Sequence, residues 1–357
     1  MKQVHAALGA ALAAIVLASV VACGGSTHAR QYQVSALVSD GALPAAHVDV
    51  NLKNPWGIAF NPQGFVWVAD NGSQHATLYD GNGVPQSLVV TIPPGASGDP
   101  DPTGIVFNGT TDFMVTQGAK SGPAAFIFVG EGGTIAAWSP AINPTSAVTV
   151  FDSRGAAVYK GLAMASNNGA NFLYATDFHN NRIDVFDRTF TKVTPAGAFQ
   201  DPSLPAGFAP FGIQAIGSKL FVAYAKQDAA AHDDVAGAGF GLIDVFSPSG
   251  QFIQRFTTGG PLNAPWGMAR APANFGRFGN AILVGNFGDG MIHAFEAASG
   301  MLLGTLQHAD GSAIVEPGLW GIAFGNGLNS QPTDTLFFAA GPNDEADGLY
   351  GRIDVEP

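Results

Sequence analysis

The residues best equipped for chemistry recur along the chain. Six apolar runs end in Asp70, Glu131, Asp177, Lys226, Asn286 and Gly341. Carboxylate and amide oxygens are the donors that a hard cation such as Ca2+ takes. Asp70, Glu131, Asp177 and Asn286 are therefore candidate metal ligands if the runs converge, with Lys226 or His232 near a substrate. A competing reading is that an Asp at the end of a strand caps the turn that follows through side-chain to backbone hydrogen bonds. Asp70 and Asp177 suit that role better than Glu131 and Asn286 do. The stretch from Lys226 to Gly239 is longer than its counterparts and gathers Lys226, Asp228, His232, Asp233 and Asp234 in a chain with only 12% charged residues. It either binds a metal or forms a solvated insertion, and it lacks zinc-like ligand spacing.

A second recurring set stands immediately before a glycine. Trp56-Gly57-Ile58-Ala59 is echoed by Thr103-Gly104-Ile105-Val106, Lys160-Gly161-Leu162-Ala163, Phe211-Gly212-Ile213-Gln214, Trp266-Gly267-Met268-Ala269 and Trp320-Gly321-Ile322-Ala323. Trp56, Phe211, Trp266 and Trp320, with Lys160, either build a stacking platform for a sugar or flat ligand at a channel mouth or serve as ordinary packing. His75, His179 and His293 fall at non-equivalent places in their repeats, so they are not expected to converge. Nucleophilic catalysis has little support, because the chain has no Gly-x-Ser-x-Gly elbow and its single cysteine, Cys23, ends the leader.

Elements that position such rings must themselves repeat. An interval of about fifty residues between the glycines is the period of a propeller blade, a four-stranded sheet packed around a central channel. Within each repeat a second strand follows the glycine motif, as in Phe65 to Asp70 or Leu220 to Lys226, and a third follows a short loop, as in Thr134 to Trp138 or Arg182 to Phe186. These runs are rich in β-branched and aromatic residues and are bounded by turn residues. The last repeat stops after its third strand, while Tyr32 to Ser39 is a strand without a blade of its own. The expected fold is all-β, a six-bladed β-propeller over residues 31–357 whose ring is closed by the N-terminal strand joining the last blade. Closing the ring in this way also covers an exposed strand edge.

Composition narrows the partners. Acidic residues number 27 against 15 basic, a net charge of -12, which repels a phosphate backbone and argues against nucleic acid. At the N-terminus, Lys2 precedes an apolar run from Ala6 to Ala22 that is short for a membrane span. The tetrapeptide Val20-Val21-Ala22-Cys23 resembles the bacterial lipobox. That resemblance implies a signal peptide over 1–22, acylation of Cys23, a tether over 23–30 and no thiol left for a disulfide. The expected location is the cell envelope, at the outer membrane in a Gram-negative host, since Gly24 is permissive for that sorting. The partners expected are the membrane, through Cys23, and a small molecule, glycan or envelope protein.

Asn54-Pro55-Trp56-Gly57-Ile58-Ala59-Phe60 with Phe65-Val66-Trp67-Val68-Ala69-Asp70-Asn71 resembles NHL repeats, as does Asp177-Phe178-His179-Asn180-Asn181-Arg182-Ile183-Asp184-Val185-Phe186. Tyr159-Lys160-Gly161-Leu162-Ala163, Tyr224-Ala225-Lys226-Gln227-Asp228, His232-Asp233-Asp234-Val235-Ala236-Gly237 and Gly285-Asn286-Phe287-Gly288-Asp289-Gly290 carry a closer resemblance. It is to an uncharacterised family of exported bacterial NHL-repeat-like propellers, some of which end in a PEP-CTERM sorting signal. This chain ends at Pro357 without such a tail, and the lipobox is expected to replace that address. The resemblance implies the fold and no activity. The leading expectation is a binding or scaffolding module. The alternative is a Ca2+-dependent lactonase or esterase, because propeller lactonases of the gluconolactonase and paraoxonase type use an oxygen-ligand cluster of the kind described above.

Overall fold

The computed structural model describes residues 31–356, so the leader, Cys23 and the tether lie outside the described residues. Six antiparallel sheets are arranged around one axis. The first blade runs Pro55–Phe60, Val66–Asp70, His75–Tyr79 and Val90–Thr91, and the second Pro102–Phe107, Phe126–Gly130, Thr134–Trp138 and Val148–Asp152. The third has Tyr159–Asn167, Ala170–Asp177 and Arg182–Phe186, and the fourth Phe208–Ile216, Lys219–Lys226, Leu242–Phe246 and Phe252–Thr258. The fifth has Pro265–Arg270, Ile282–Asn286, Ile292–Phe295 and Leu302–Thr305, and the sixth Leu319–Phe324, Leu336–Ala340 and Leu349–Val355. In each blade the first strand lies at the axis, and the others follow outward in chain order.

The N-terminal strand closes the ring as expected. Tyr32–Ser39 pairs antiparallel with Leu349–Val355, matching Tyr32 to Val355 and Ser39 to Leu349, and His47–Val48 adds a short parallel strand beyond it. Two features depart from a regular repeat. A hairpin of Met114–Gln117 and Lys120–Pro123 is inserted between the first two strands of the second blade. It turns at Gly118, whose φ of 62° is the left-handed conformation a two-residue hairpin turn needs at its first position. The third blade lacks a fourth strand among the described residues and retains a single bridge between Phe186 and Lys192. Pro195, Pro202 and Pro205 occupy the segment that would supply it, and proline has no N–H to donate to a ladder.

Packing is between blades. Leu283 and Ile292 of the fifth interlock with Phe338 and Ile353 of the sixth, and Val68 of the first with Phe337 and Tyr350 of the sixth. At the axis the spacing is set by backbone. A Cβ added to Gly57, Gly104, Gly161, Gly212, Gly267 or Gly321 would come closer than 3.0 Å to the inner strand of the next blade. In five of the six the atom met is a carbonyl oxygen, of Thr103, Phe211, Trp266, Trp320 and Trp56 respectively, and at Gly104 it is the amide nitrogen of Leu162. None of these glycines has a positive φ, so close approach, not backbone freedom, is what excludes a side chain there.

Gly321 presses on the Trp56 carbonyl, where the last blade meets the first. Gly321→Ala is expected to lower stability by about 2–3 kcal/mol in equilibrium denaturation, the scale of overpacking against an element that cannot move. A loss below about 0.5 kcal/mol, the level of a neutral surface change, would show that the ring closes without this contact.

Candidate functional site

Each inner strand carries an irregularity at its glycine. In the first blade Pro55 pairs with Asp70 and Ile58 with Val68, so that Trp56 and Gly57 together oppose one residue. The same shift occurs at Thr103–Gly104, Lys160–Gly161, Phe211–Gly212, Trp266–Gly267 and Trp320–Gly321. A β-bulge of this kind re-aims a side chain, and here it turns the residue before the glycine towards the axis. The end at which the inner strands begin is taken as the upper end.

The aromatic members of that ring meet one another. Trp56 and Trp320 stack with centroids 3.4 Å apart, and Trp266 stands edge-on to both at 5.8 and 5.9 Å. Phe211 closes the group at 6.4 Å from Trp56 and 5.8 Å from Trp320. Phe178 and Phe287, from loops between second and third strands, pack on Phe211 and Trp320. All but Phe287 are buried. The expected platform is therefore a plug. Its rings are spent on each other, and pairs of this geometry contribute about 0.5–1.5 kcal/mol each beyond area burial. Thr103 stays with the backbone, its hydroxyl donating to the Tyr159 carbonyl at 2.9 Å.

Lys160 caps the plug. It is 2% exposed, its ammonium lies 5.3 Å from the Trp56 ring centroid, and it forms ion pairs with Glu131 and, at 3.2 Å, with Asp233. Burial alone would lower its pKa, but Glu131 and Asp233 hold it above the usual lysine value, so Lys160 is a cation and not a nucleophile. A network extends from this pair. Asn71 Nδ2 donates to Glu131 at 2.9 Å, and Asn54 Nδ2 donates to Asn71 at 3.2 Å and to Glu345 at 2.6 Å. Trp320 Nε1 donates to Asn54 Oδ1 at 3.2 Å, tying the network to the plug. His232 Nδ1 lies 2.9 Å from Asp233 Oδ1. Burial raises the pKa of Asp234 to about 7, with Lys160 opposing and Glu345 adding to the effect. It also raises Glu345, a shift the bond from Asn54 opposes and Glu131 reinforces.

The other expected metal ligands are held elsewhere, which corrects the ring drawn from strand ends. Asp177 accepts from its own turn, from the Asn180 amide at 3.3 Å and side chain at 2.7 Å, and pairs with Arg182 at 3.0 Å. Asn286 donates to the Pro261 carbonyl at 2.8 Å and to Asp289 at 3.1 Å. Asp70 is sealed in the first blade beside Thr77, and burial pushes its pKa well up, towards the neutral acid, against the opposing effect of Thr77. Lys226 places its ammonium 4.4 Å from the Phe240 ring centroid, off the Lys160 network. His179 contacts the Ala231 carbonyl and His293 contacts Thr305, so these histidines do not gather either. Among the described residues, the one group of three His, Cys, Asp or Glu residues whose ligand atoms lie within 4.8 Å of one another is Glu131, His232 and Asp233. Of the strand-end ring, only Glu131 belongs to it.

Asn54, Asn71 and Glu345 join the site without belonging to either repeated set. Asn343, Asp344 and Glu345 have φ of 56°, 53° and 64°, a run of left-handed residues that costs roughly 1–2 kcal/mol per residue and brings Glu345 to Asn54. Asn54 itself has φ 41° ahead of Pro55.

Below the plug the axis is open. A constriction of about 40 Å3 at the level of the glycines leads into lobes of about 390 and 310 Å3 that share Ile58, Gln214, Ala215 and Ala323.

Comparison with known proteins agrees with the architecture. Residues 52–75 match the model of the NHL repeat. "Uncharacterized protein R648" of Acanthamoeba polyphaga mimivirus is 33% identical over 331 residues, covering 90% of this chain and 80% of that protein. "Uncharacterized protein L690" of the same virus is 34% identical over 335 residues, covering 90% and 85%. Among solved structures, a streptogramin B lyase superposes with a TM-score of 0.55 at 12% identity over 91% of this chain and 98% of that one. The PQQ-bound aldose sugar dehydrogenase of Streptomyces coelicolor gives 0.51 at 14% over 92% and 99%. At such identities the likeness is one of fold.

Asp234 offers a test of the site's electrostatics. Its folded pKa of about 7 lies above the ordinary 3.8, so the folded state holds the proton more tightly and stability falls as pH rises from about 4 to about 7. Asp234→Asn should stabilise the protein by about 3–4 kcal/mol at pH 8, the free-energy equivalent of that displacement, and make little difference at pH 4, read from denaturation midpoints. A difference independent of pH would contradict the assignment.

Proposed function

The chain belongs to the same family as the two mimivirus proteins and is itself a six-bladed propeller of the NHL type, and from that premise we propose that it is a non-catalytic binding or scaffolding module. In this reading it meets its partner on the charged upper face and is held at the cell envelope by a lipid on Cys23. Lys160 is the observation that carries the reading. A cation buried between Glu131 and Asp233 and resting on the aromatic plug fills the place where a catalytic propeller would keep an open site. What it leaves at the surface is carboxylate, with Asp233 exposed and Glu131 and Glu345 half-buried. A basic segment of another protein is the partner such a rim suits, since charge complementarity favours encounter. The aromatic rings take up the volume that a small molecule at this mouth would need.

The envelope location rests on residues 20–23 alone. The relatives are viral, so the bacterial export route is a proposal for this chain rather than a property of its family. Exchange of Cys23 for Ser should abolish incorporation of labelled palmitate in a bacterial host and move the protein out of the membrane fraction. Labelling that survives the exchange would refute acylation at Cys23.

The second reading, a Ca2+-dependent lactonase or esterase, retains one specific support: Glu131, His232 and Asp233 are close enough to share an ion. Lys160 already neutralises two of the three. We expect the purified protein to carry no stoichiometric Ca2+ and to show no chelator-sensitive hydrolysis of lactones or esters. Turnover that is lost both on chelation and in Glu131→Gln would establish the hydrolase instead.

A further inference from the structure

The lower channel has the chemistry of a peptide site, and we propose that it binds a short apolar peptide through a free C-terminal carboxylate. This goes beyond the reading of the upper face and concerns the opposite end of the axis. Three features meet there.

The first is backbone. All six inner strands are the terminal strands of their sheets, so the edge each turns to the axis is unpaired. Unpaired edges offer N–H and C=O groups that require partners, and an extended peptide supplies them by adding a strand. The inner strand of the fourth blade, Phe208–Ile216, is nine residues long against six for Pro265–Arg270 beside it. Its last residues, Gln214 to Ile216, line the larger lobe.

The second feature is the side-chain lining. Two positions after the repeat glycine stand Ala59, Val106, Ala163, Gln214, Ala269 and Ala323, small apart from Gln214, and all six border the two lower lobes. One position further stand Phe60, Phe107, Met164, Ala215, Arg270 and Phe324, an apolar rim interrupted by one cation. A site of about 390 Å3 with apolar side chains, strand-edge backbone and a few polar groups falls within the roughly 300–1,000 Å3 of small-ligand sites. A purely hydrocarbon ligand would leave the edge groups unpaired, whereas a peptide with apolar side chains satisfies both surfaces.

Charge is the third. Arg270 and Lys219 are exposed, have no ion pair among the described residues, and line one recess of about 220 Å3 that opens beside the larger lobe at Ile216 and Gly217. In a chain of net charge -12 with 15 cationic residues, two uncommitted cations at one apolar mouth favour a carboxylate, and a guanidinium binds it through paired hydrogen bonds.

The probe is an N-acetylated Val-Leu-Val-Leu tetrapeptide with a free C-terminus, titrated calorimetrically into the intact protein. We expect saturable binding that weakens at least tenfold when the C-terminal carboxylate is replaced by its amide. It should weaken similarly when alternate amides are N-methylated, and in Arg270→Glu, whose exposed position leaves the melting temperature unchanged. Asp233→Asn, at the upper end, should leave the affinity as it is. Absence of saturable binding would overturn the proposal. So would equal affinity for acid and amide, indifference to N-methylation, or decanoate binding as tightly as the peptide, the last two because they would make the channel a site for fatty carboxylates or for no defined ligand.

Discussion

Between neighbouring blades, a glycine of one inner strand lies against the backbone of the next, too close for any side chain. The contact is made six times, and the sixth, Gly321 on the Trp56 carbonyl, joins the end of the repeat to its beginning. It brings the inner strands together, and the bulge at each glycine keeps the strand paired outward while turning the preceding residue inward. The contents of the upper axis follow from that geometry. Whatever stands before the glycine points at the axis, so the choice of Trp, Phe, Lys or Thr decides whether the end is open, lined or filled. Here Trp56, Phe211, Trp266 and Trp320 fill it.

An aromatic plug provides a floor on which a charge can be placed, and Lys160 occupies it. Burying an ammonium is costly unless the partners are close and well bonded. Glu131 and Asp233 provide the opposing charges, the Asn54 and Asn71 amides hold Glu131 and Glu345 in position, and Trp56 and Phe178 present their ring faces. The result is a molecule with two dissimilar ends. The upper end is closed, ion-paired and acidic, with Asp234 and Glu345 held towards their neutral forms by burial. The lower end is open, has apolar side chains and free strand edges, and carries Arg270 and Lys219.

Much of this architecture is legible in the sequence because it is written as a repeat. The six glycine motifs announce the six blades, the spare strand at Tyr32–Ser39 announces the closure, and the third strands Thr134–Trp138 and Arg182–Phe186 are bounded as expected. The hairpin at Met114–Pro123 is not legible, being an insertion that belongs to no repeat, and neither is the missing outer strand of the third blade, where prolines remove the donors. The site is less legible than the fold. Residues aligned at strand ends share a position along the chain but not a direction in space. Asp177 and Asn286 turn to their own loops and Asp70 is sealed in its blade, whereas Glu131, just beyond its strand, reaches Lys160. Asn54, Asn71 and Glu345 come from turns with left-handed or irregular backbone, and repeat arithmetic carries no information about those.

The closed upper end depends on Lys160 and Glu131 acting as one unit. A double-mutant cycle of Lys160→Met and Glu131→Gln, read as unfolding free energy, tests this directly. Lys160→Met should be strongly destabilising, by about 3 kcal/mol or more, because it leaves Glu131 without its cation, and Glu131→Gln should cost less, because Asp233 still pairs with Lys160. The double change should cost less than the sum by at least about 2 kcal/mol, within the range of contacting pairs. Additivity within about 0.5 kcal/mol would mean that the two groups do not sense each other, and the closed, ion-paired upper end would have to be abandoned.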